Sequence, residues 1–265
     1  SAHKLAGSAY TLEQVITAGI ENCKRACAPY GALTALDVGP LGELLEPSGT
    51  LAFEDAVAEY ARIVKAGEAA GADLIFFETY TDLYELKAAL LAAKENTHLP
   101  ILASMSFEAG GRTFTGCTVE SFAATARGLG ADAVGINCSL GPKEIFPMAK
   151  RLAEAVPGNF PVFVKPNAGL PRADGSGYDI TPQLFALQMK PYREMHLFAA
   201  GGCCGTTPEF IKLLNGTFAG CTPGRPAHRM PSVLCTPVDT VTVDGITVVG
   251  ERINPTGKKR FQQAL

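Results

Sequence analysis

The chain has 265 residues, of which 47% are hydrophobic and 18% charged, and its formal net charge is −3. This composition is typical of one large globular α/β domain or two small ones and excludes a disordered chain. The charge provides no basic surface for nucleic acid. No apolar run reaches the length of a membrane span and no signal peptide is recognisable, so we expect a cytoplasmic protein with no membrane partner.

Short apolar runs alternate with stretches of helical apolar spacing along most of the chain. The runs are rich in β-branched or aromatic residues and predict strands at 32–38, 73–79, 100–107, 133–138, 161–167 and 197–200. The helical stretches are 12–28, 53–69, 83–94, 119–128, 143–155, 183–194 and 208–214. Thr11, Asp82, Thr118 and Thr207 stand where helix N-caps are expected.

This alternation is the βα unit of a parallel sheet, and it predicts an α/β fold. No glycine-rich phosphate motif follows the first strand, and polar residues gather at the strand ends, so we expect a (β/α)8 TIM-type barrel. The six predicted strands are two fewer than a closed barrel needs. The prediction is therefore an incomplete barrel that lacks its first two βα units, with an open doubly wound sheet as the alternative.

The pattern changes after Asn215. Residues 218–237 are rich in Pro, Cys and Arg and show no periodicity, which predicts a linker over residues 216–240. Residues 240–249 are strand-like, with a turn at Asp244-Gly245, and are followed by the Gly- and Pro-containing segment GERINPTG. We therefore expect one domain over residues 1–215 and the first strand of a second, truncated domain over residues 241–265.

Three cysteines follow predicted strands. Cys138 lies in GINCS, and Cys203 and Cys204 lie in GGCCGTTPE, where the glycines allow the chain to bend so that adjacent sulfurs face one ion. Three thiolates without a fourth Cys or His nearby are typical of a catalytic zinc site with one open position. Buried apolar packing for Cys138 and a strained disulfide between Cys203 and Cys204 are the alternatives.

The other five cysteines carry weaker patterns. Cys23 and Cys27 are spaced four residues apart on a predicted helix, which favours a packing role. Cys117, Cys221 and Cys235 lie in predicted loops without partners, and no role is assigned to them.

Several segments together resemble the homocysteine S-methyltransferase family. GINCS and GGCCGTTPE are similar to its paired zinc-binding motifs, and LDVGPLGELLEPSG, FFETYTDLYELKAAL, GRTFTGCT and KPNAG resemble its other motifs in the family's order, over residues 1–214. GERINPTG is similar to the opening strand of the folate (pterin)-binding domain that follows the homocysteine-binding domain in cobalamin-dependent members.

The resemblance implies an enzyme that transfers a methyl group to the thiol of L-homocysteine and makes methionine. It implies that the three cysteines bind Zn²⁺. It also implies that the methyl group comes from methylcobalamin, and that 5-methyltetrahydrofolate then methylates the cobalamin again. Other modules of the same enzyme would bind the folate and the cobalamin. The resemblance makes Glu78 the partner of the substrate ammonium, and Asn254 a folate contact. Asn167 either occupies the substrate position on the metal or caps a turn, and Asp37 is assigned a structural role.

Two other functions fit the same residues. One is a cobalamin-independent homocysteine methyltransferase that uses a sulfonium donor. The other is a non-catalytic module in which the three cysteines bind zinc structurally, and in that case the coordination would not respond to homocysteine.

Overall fold

The computed structural model describes residues 2–227 and 230–248. Helices and strands alternate from the start of this region, in the order α1 (Leu12–Cys27), β1 (Ala35–Val38), α2 (Phe53–Ala69), β2 (Leu74–Tyr80), α3 (Leu83–Asn96), β3 (Ile101–Met105), α4 (Val119–Gly128), β4 (Ala133–Asn137), α5 (Pro142–Glu154), β5 (Val162–Lys165), α6 (Pro182–Met189), β6 (Ala199–Ala200) and α7 (Pro208–Phe218). Short 3₁₀ segments lie at Ala2–Leu5, Ala28–Tyr30 and Lys190–Met195. The last of these replaces the second half of the helix predicted over 183–194, where Pro191 removes a backbone donor.

The first six strands form one parallel sheet in chain order, β1-β2-β3-β4-β5-β6. A doubly wound sheet reverses its strand order at a switch point, so this order excludes that alternative. Consecutive neighbours joined by helices are the arrangement of a (β/α)8 barrel, and six of its eight strands are present. Among the described residues β1 and β6 do not pair with each other, so the barrel does not close. The prediction of an incomplete TIM-type barrel is confirmed.

Side chains on the strands alternate between a helix-covered face and a concave inner face. Ile75 and Phe77 of β2 are fully buried, and Phe77 contacts Tyr60 of α2 edge to face at a centroid distance of 6.1 Å. Their neighbours Phe76 and Glu78 are only partly buried. Phe76 and Glu78 therefore lie on the inner face, which is open between β1 and β6 in the described part of the chain.

Three of the four predicted N-caps hold their helices by side-chain hydrogen bonds. Thr11 forms a capping box with Gln14, and Asp82 and Thr118 accept from backbone amides of α3 and α4. Thr207 occupies the N-cap position of α7 as predicted, although its side chain makes no capping bond. Helix α7 begins with Pro208, which has no amide hydrogen to be satisfied.

The segment predicted as a linker contains regular structure. Strands β7 (Ser232–Cys235) and β8 (Thr240–Val243) pair as an antiparallel hairpin, which packs on α4 through a 3.1 Å bond from the Thr118 amide to the Pro237 carbonyl. Strand β7 lies inside the segment 216–240 that was predicted as a linker, so part of that segment is regular structure. The domain boundaries themselves stay a prediction.

Within the described part of the chain, the helices fall short of what crossing a bilayer requires in length and hydrophobicity.

Candidate metal and substrate site

The three cysteines singled out in the sequence lie together at the carboxyl ends of β4 and β6. All three sulfurs lie within 4.8 Å of one another, and the Sγ atoms of Cys138 and Cys204 are 3.6 Å apart. In the described residues, no other group of three Cys, His, Asp or Glu side chains meets the same distance criterion. All eight cysteines are free thiols, which excludes the disulfide alternative for Cys203 and Cys204 in this structure.

A sharp turn after β4 directs Cys138 toward the other two sulfurs. Cys138 and Ser139 have φ values of 64° and 61°, in the left-handed region that non-glycine residues seldom adopt. The Cys138 amide donates to the Lys165 carbonyl at 3.1 Å, and the Leu140 amide donates to the Cys138 carbonyl at 2.8 Å. Such strain, typically about 1–3 kcal/mol per residue, is concentrated at functional sites.

A second turn presents Cys203 and Cys204. The Cys203 amide donates to the Pro166 carbonyl at 2.8 Å, and the Thr206 hydroxyl donates to the Cys203 carbonyl at 2.7 Å. A Cβ atom on Gly202 would lie 2.4 Å from the Thr206 hydroxyl oxygen, so only glycine leaves room for this bond. The glycines therefore act as the sequence predicted, by allowing the close turn that holds both cysteines.

Asn167 supports this turn from the end of β5. It is only 5% exposed, and its Oδ1 atom accepts a 3.0 Å hydrogen bond from the Cys204 amide. We expected the Asn167 side-chain oxygen near the substrate position on the metal, but it binds the backbone amide of Cys204, which is a predicted metal ligand. Its role toward substrate stays a prediction.

A buried polar network that was not predicted from the sequence lies beneath the cysteines. Asn137 is fully buried, and its Nδ2 donates to the Thr79 hydroxyl at 2.8 Å and lies 3.7 Å from the Cys203 sulfur. Its Oδ1 accepts from the Thr79 amide at 3.0 Å and from the Ser104 hydroxyl at 2.8 Å. The sequence offered one signal for this network, because Asn137 stands at a strand end immediately before the candidate ligand Cys138. Its partners Thr79 on β2 and Ser104 on β3 could be identified only from the fold.

The thiols differ in their affinity for protons. The hydrogen bond from Cys203 lowers the pKa of Cys138 to about 7, against an opposing effect of burial, and the same bond raises the pKa of Cys203. Cys138 is therefore the more acidic of these two thiols when no metal is bound.

Glu78 lies at the end of β2 on the inner face of the sheet. Its carboxylate forms an ion pair with Lys165 of β5, whose Nζ atom is 4.5 Å from the centroid of the Phe76 ring. The side chain of Glu78 is 15% exposed, so its charge is partly shielded from water. The carboxylate assigned to a substrate ammonium is thus on the same rim as the cysteines and already has a cationic partner.

Asp37 of β1 belongs to the same charged group, and its structural role stays a prediction. Loss of hydration and the negative charge of Glu78 raise the pKa of Asp37 to about 6, although Lys165 opposes the shift. The residue as a whole is exposed on the open side of the sheet. Two carboxylates and one lysine leave this group with one net negative charge when both acids are ionised.

A cleft of about 140 Å³ follows the inner face below these charges and is lined by Phe76, Leu102, Phe163, Lys165 and Gly201, among others. A larger cleft of about 550 Å³ lies along β6 and α7, at the open edge of the sheet. Its lining includes none of the three clustered cysteines, Glu78 or Asn167, so size alone does not identify the site.

The remaining cysteines lie apart from the site. Cys117 is fully buried, and burial raises its pKa to about 12, so it is a packing residue. Cys23 and Cys27 have their sulfurs 3.8 Å apart on α1, but Cys23 is exposed, so a packing role is wrong for that residue. Cys221 and Cys235 are partly buried and exposed, respectively. Asn254, the predicted folate contact, lies outside the described residues.

The family model described as homocysteine S-methyltransferase matches residues 1–218. The methionine synthase of Mycobacterium leprae is 33% identical over 211 residues, which covers 74% of this chain and 17% of that protein. The methionine synthase of Mycobacterium tuberculosis is 34% identical over 206 residues, with the same coverage. The chain thus spans about 17% of the length of these curated relatives.

Solved structures agree on the fold. The metallated form of the homocysteine methyltransferase MmuM from Escherichia coli superposes with a TM-score of 0.67 at 22% identity, over 82% of this chain and 75% of that one. Its apo form gives a TM-score of 0.63 at 23% identity, over 77% and 73% of the two chains.

Proposed function

Because the chain belongs to the homocysteine S-methyltransferase family, we propose that it forms most of the unit that binds L-homocysteine and prepares its thiol for methylation to methionine. The observation that carries the proposal is the convergence of the Cys138, Cys203 and Cys204 sulfurs within 4.8 Å at the strand ends. Barrels of this class perform chemistry at that rim.

The donor set fits Zn²⁺. Three sulfurs about 2.3 Å from one tetrahedral ion lie about 3.8 Å from each other, and the Cys138–Cys204 separation of 3.6 Å is close to that value. Thiolates are preferred ligands of zinc, and three protein ligands leave one position for a substrate, as in catalytic zinc sites. When bound, the ion would hold the homocysteine sulfur as a thiolate near neutral pH, at which a free thiol is mostly protonated.

The chain's own residues have distinct tasks in this proposal. Cys138 loses its proton more readily than Cys203, and Asn137 fixes the position of Cys203 from below. Glu78 binds the substrate ammonium. The ammonium would either share the Glu78 carboxylate with Lys165 or displace Lys165 from it. The negative charge of the Asp37–Glu78–Lys165 group favours such a cation.

We further propose that the methyl group comes from methylcobalamin recharged by 5-methyltetrahydrofolate, both bound by other modules of the intact polypeptide. The curated relatives named methionine synthase, which this chain matches over only 17% of their length, have room for further modules, and this supports a donor bound elsewhere in the polypeptide. In this proposal residues 1–215 form the homocysteine-binding unit, residues 216–240 connect it, residues 241–265 begin the pterin-binding domain, and the enzyme is cytoplasmic.

The test is metal coordination in the intact polypeptide, measured by X-ray absorption at the zinc edge with and without L-homocysteine. We expect three sulfur neighbours without substrate and four with it. A zinc environment that ignores homocysteine would favour the structural zinc module instead, and a protein that retains no zinc would contradict the proposed site. Activity assays with methylcobalamin and with a sulfonium donor separate the two donor classes.

A further inference from the structure

Two of the cysteines that the proposed zinc site does not use form a pair on α1. The Sγ atoms of Cys23 and Cys27 lie 3.8 Å apart, one helical turn from each other. Both are free thiols, and Cys23 is exposed while Cys27 is partly buried. A small reagent in solution can therefore reach one sulfur and find the second beside it.

The turn of helix that carries the pair is fixed to the barrel. Lys24 stands between the two cysteines in the sequence, and its Nζ atom donates to the Gly71 carbonyl at 2.8 Å. Immediately after the pair, the Ala32 amide donates to the Cys27 carbonyl at 3.4 Å, which closes the end of α1. The backbone beneath the two sulfurs is thus held in place without any ligand.

The pair lies at the opposite end of the sheet from the proposed zinc site. Cys27 ends α1, and the chain then leads into the amino end of β1, whereas Cys138 follows the carboxyl end of β4. The amino and carboxyl ends of parallel barrel strands form opposite faces of the fold. The chemistry of the pair is therefore independent of the proposed function.

The helix disfavours a disulfide between these cysteines. Residues four apart on an α-helix have their Cβ atoms about 5–6 Å apart, whereas a disulfide needs a Cβ separation of about 3.5–4.5 Å. Closing the bond would distort the helix, so the intact helix presents two thiols.

The separation of the sulfurs suits a centre that bonds to both at once. Two bonds of about 2.3 Å at an angle of about 90–109° place their sulfurs about 3.3–3.8 Å apart. Among the described residues, no third Cys, His, Asp or Glu completes a group with this pair within 4.8 Å. A closed zinc site, which takes four ligands, is thus disfavoured. A monosubstituted trivalent arsenical needs only two protein sulfurs, because its third bond is to carbon.

We propose that Cys23 and Cys27 form a dithiol site that binds monosubstituted trivalent arsenicals across one turn of α1. In the reaction with RAs(OH)₂, two As–S bonds form and two As–O bonds break. The two hydroxyl groups leave as water with the two thiol protons, and arsenic remains trivalent. The second As–S bond forms within one molecule, and such a link typically raises affinity about 10²–10⁴-fold over a single contact.

The pair also favours a reagent that condenses with neutral thiols. The hydrogen bond with Cys23, followed by burial, raises the pKa of Cys27. A cation that requires two thiolates would first have to remove both protons, whereas the arsenical releases them in water.

The experiment titrates the reduced intact polypeptide with phenylarsine oxide. Native mass spectrometry counts the bound arsenicals per chain, and a thiol reagent counts the cysteines that they protect. Cys23→Ser and Cys27→Ser remove one sulfur each, and Cys235→Ser, at another exposed cysteine, is the matched control. Arsenicals bound at Cys138, Cys203 and Cys204 add equally to every variant, so the comparison is between variants.

We expect Cys23→Ser and Cys27→Ser each to bind one arsenical fewer than the parent and to leave the remaining cysteine of the pair unprotected. Affinity at this site should fall about 10²–10⁴-fold, with no change in Cys235→Ser. Circular dichroism confirms that each variant keeps its helices. A parental arsenical count in either site variant overturns the proposal.

A second variant tests the geometry by rescue. Gly19 is exposed on α1, four residues before Cys23, and a Cβ atom there would meet nothing within 4 Å. Adding Gly19→Cys to Cys27→Ser recreates the same spacing one turn earlier and should restore the lost arsenical. Failure of this rescue would show that two cysteines one helical turn apart do not suffice, which also overturns the proposal.

Discussion

The Oδ1 atom of Asn167 accepts a 3.0 Å hydrogen bond from the amide of Cys204, so a buried side chain at the end of β5 holds the turn that follows β6. Replacing Asn167 by Ala leaves that amide without its acceptor, which typically costs about 1–3 kcal/mol. We expect lower stability in urea unfolding and weaker zinc binding. Asn159→Ala, at an exposed site, should change neither, and equal zinc affinity in both variants would contradict the supporting role.

Replacement of Cys138, Cys203 or Cys204 by Ser should abolish zinc retention and methyl transfer together, because a hydroxyl is a much poorer zinc ligand than a thiolate. Metal content and activity are measured on the same preparations of the intact polypeptide. Cys23→Ser, at an exposed cysteine of α1, is the control and should retain both. Full activity in any one of the three site variants would refute the three-thiolate mechanism.

Glu78→Gln should weaken homocysteine binding and leave zinc in place, since the carboxylate is expected to contact the ammonium and not the metal. Loss of a charge-assisted hydrogen bond of about 1.5–3 kcal/mol corresponds to roughly 10- to 100-fold in affinity. Homocysteine titration with zinc analysis measures both quantities, and Glu108→Gln at an exposed loop residue is the control. Loss of zinc from the Glu78 variant would show that this assignment is wrong.

Asp37→Asn should stabilise the protein at pH 7. The pKa of Asp37 is raised to about 6 in the folded chain, above the value of about 3.9 for a free Asp, so its ionised form disfavours folding. The variant's advantage should therefore be complete above about pH 6 and disappear as the pH falls toward 4. Urea unfolding across this range tests the sign, with Asp244→Asn in an exposed turn as control. A variant less stable than the parent at pH 7 would contradict it.

The amino-acid sequence by itself determined the alternation of strands and helices and the positions of the three cysteines at strand ends. Both depend on local patterns: apolar periodicity distinguishes strand from helix, and the glycines beside Cys203 and Cys204 mark a tight turn. Strand β7 escaped detection because it has four residues and prolines flank it, whereas β8 lies in the run predicted as strand-like at 240–249.

Only the tertiary structure decided which side chains meet. Asn137 contacts Thr79 across 58 positions of sequence, and Glu78 contacts Lys165 across 87. Such pairs depend on strand register and on the curvature of the sheet, which bring residues of separate βα units to one inner face. The packing of the Tyr178 ring against Gly205 likewise required the loop after β5 to fold back over a turn after β6, and no periodicity in either segment encodes that contact.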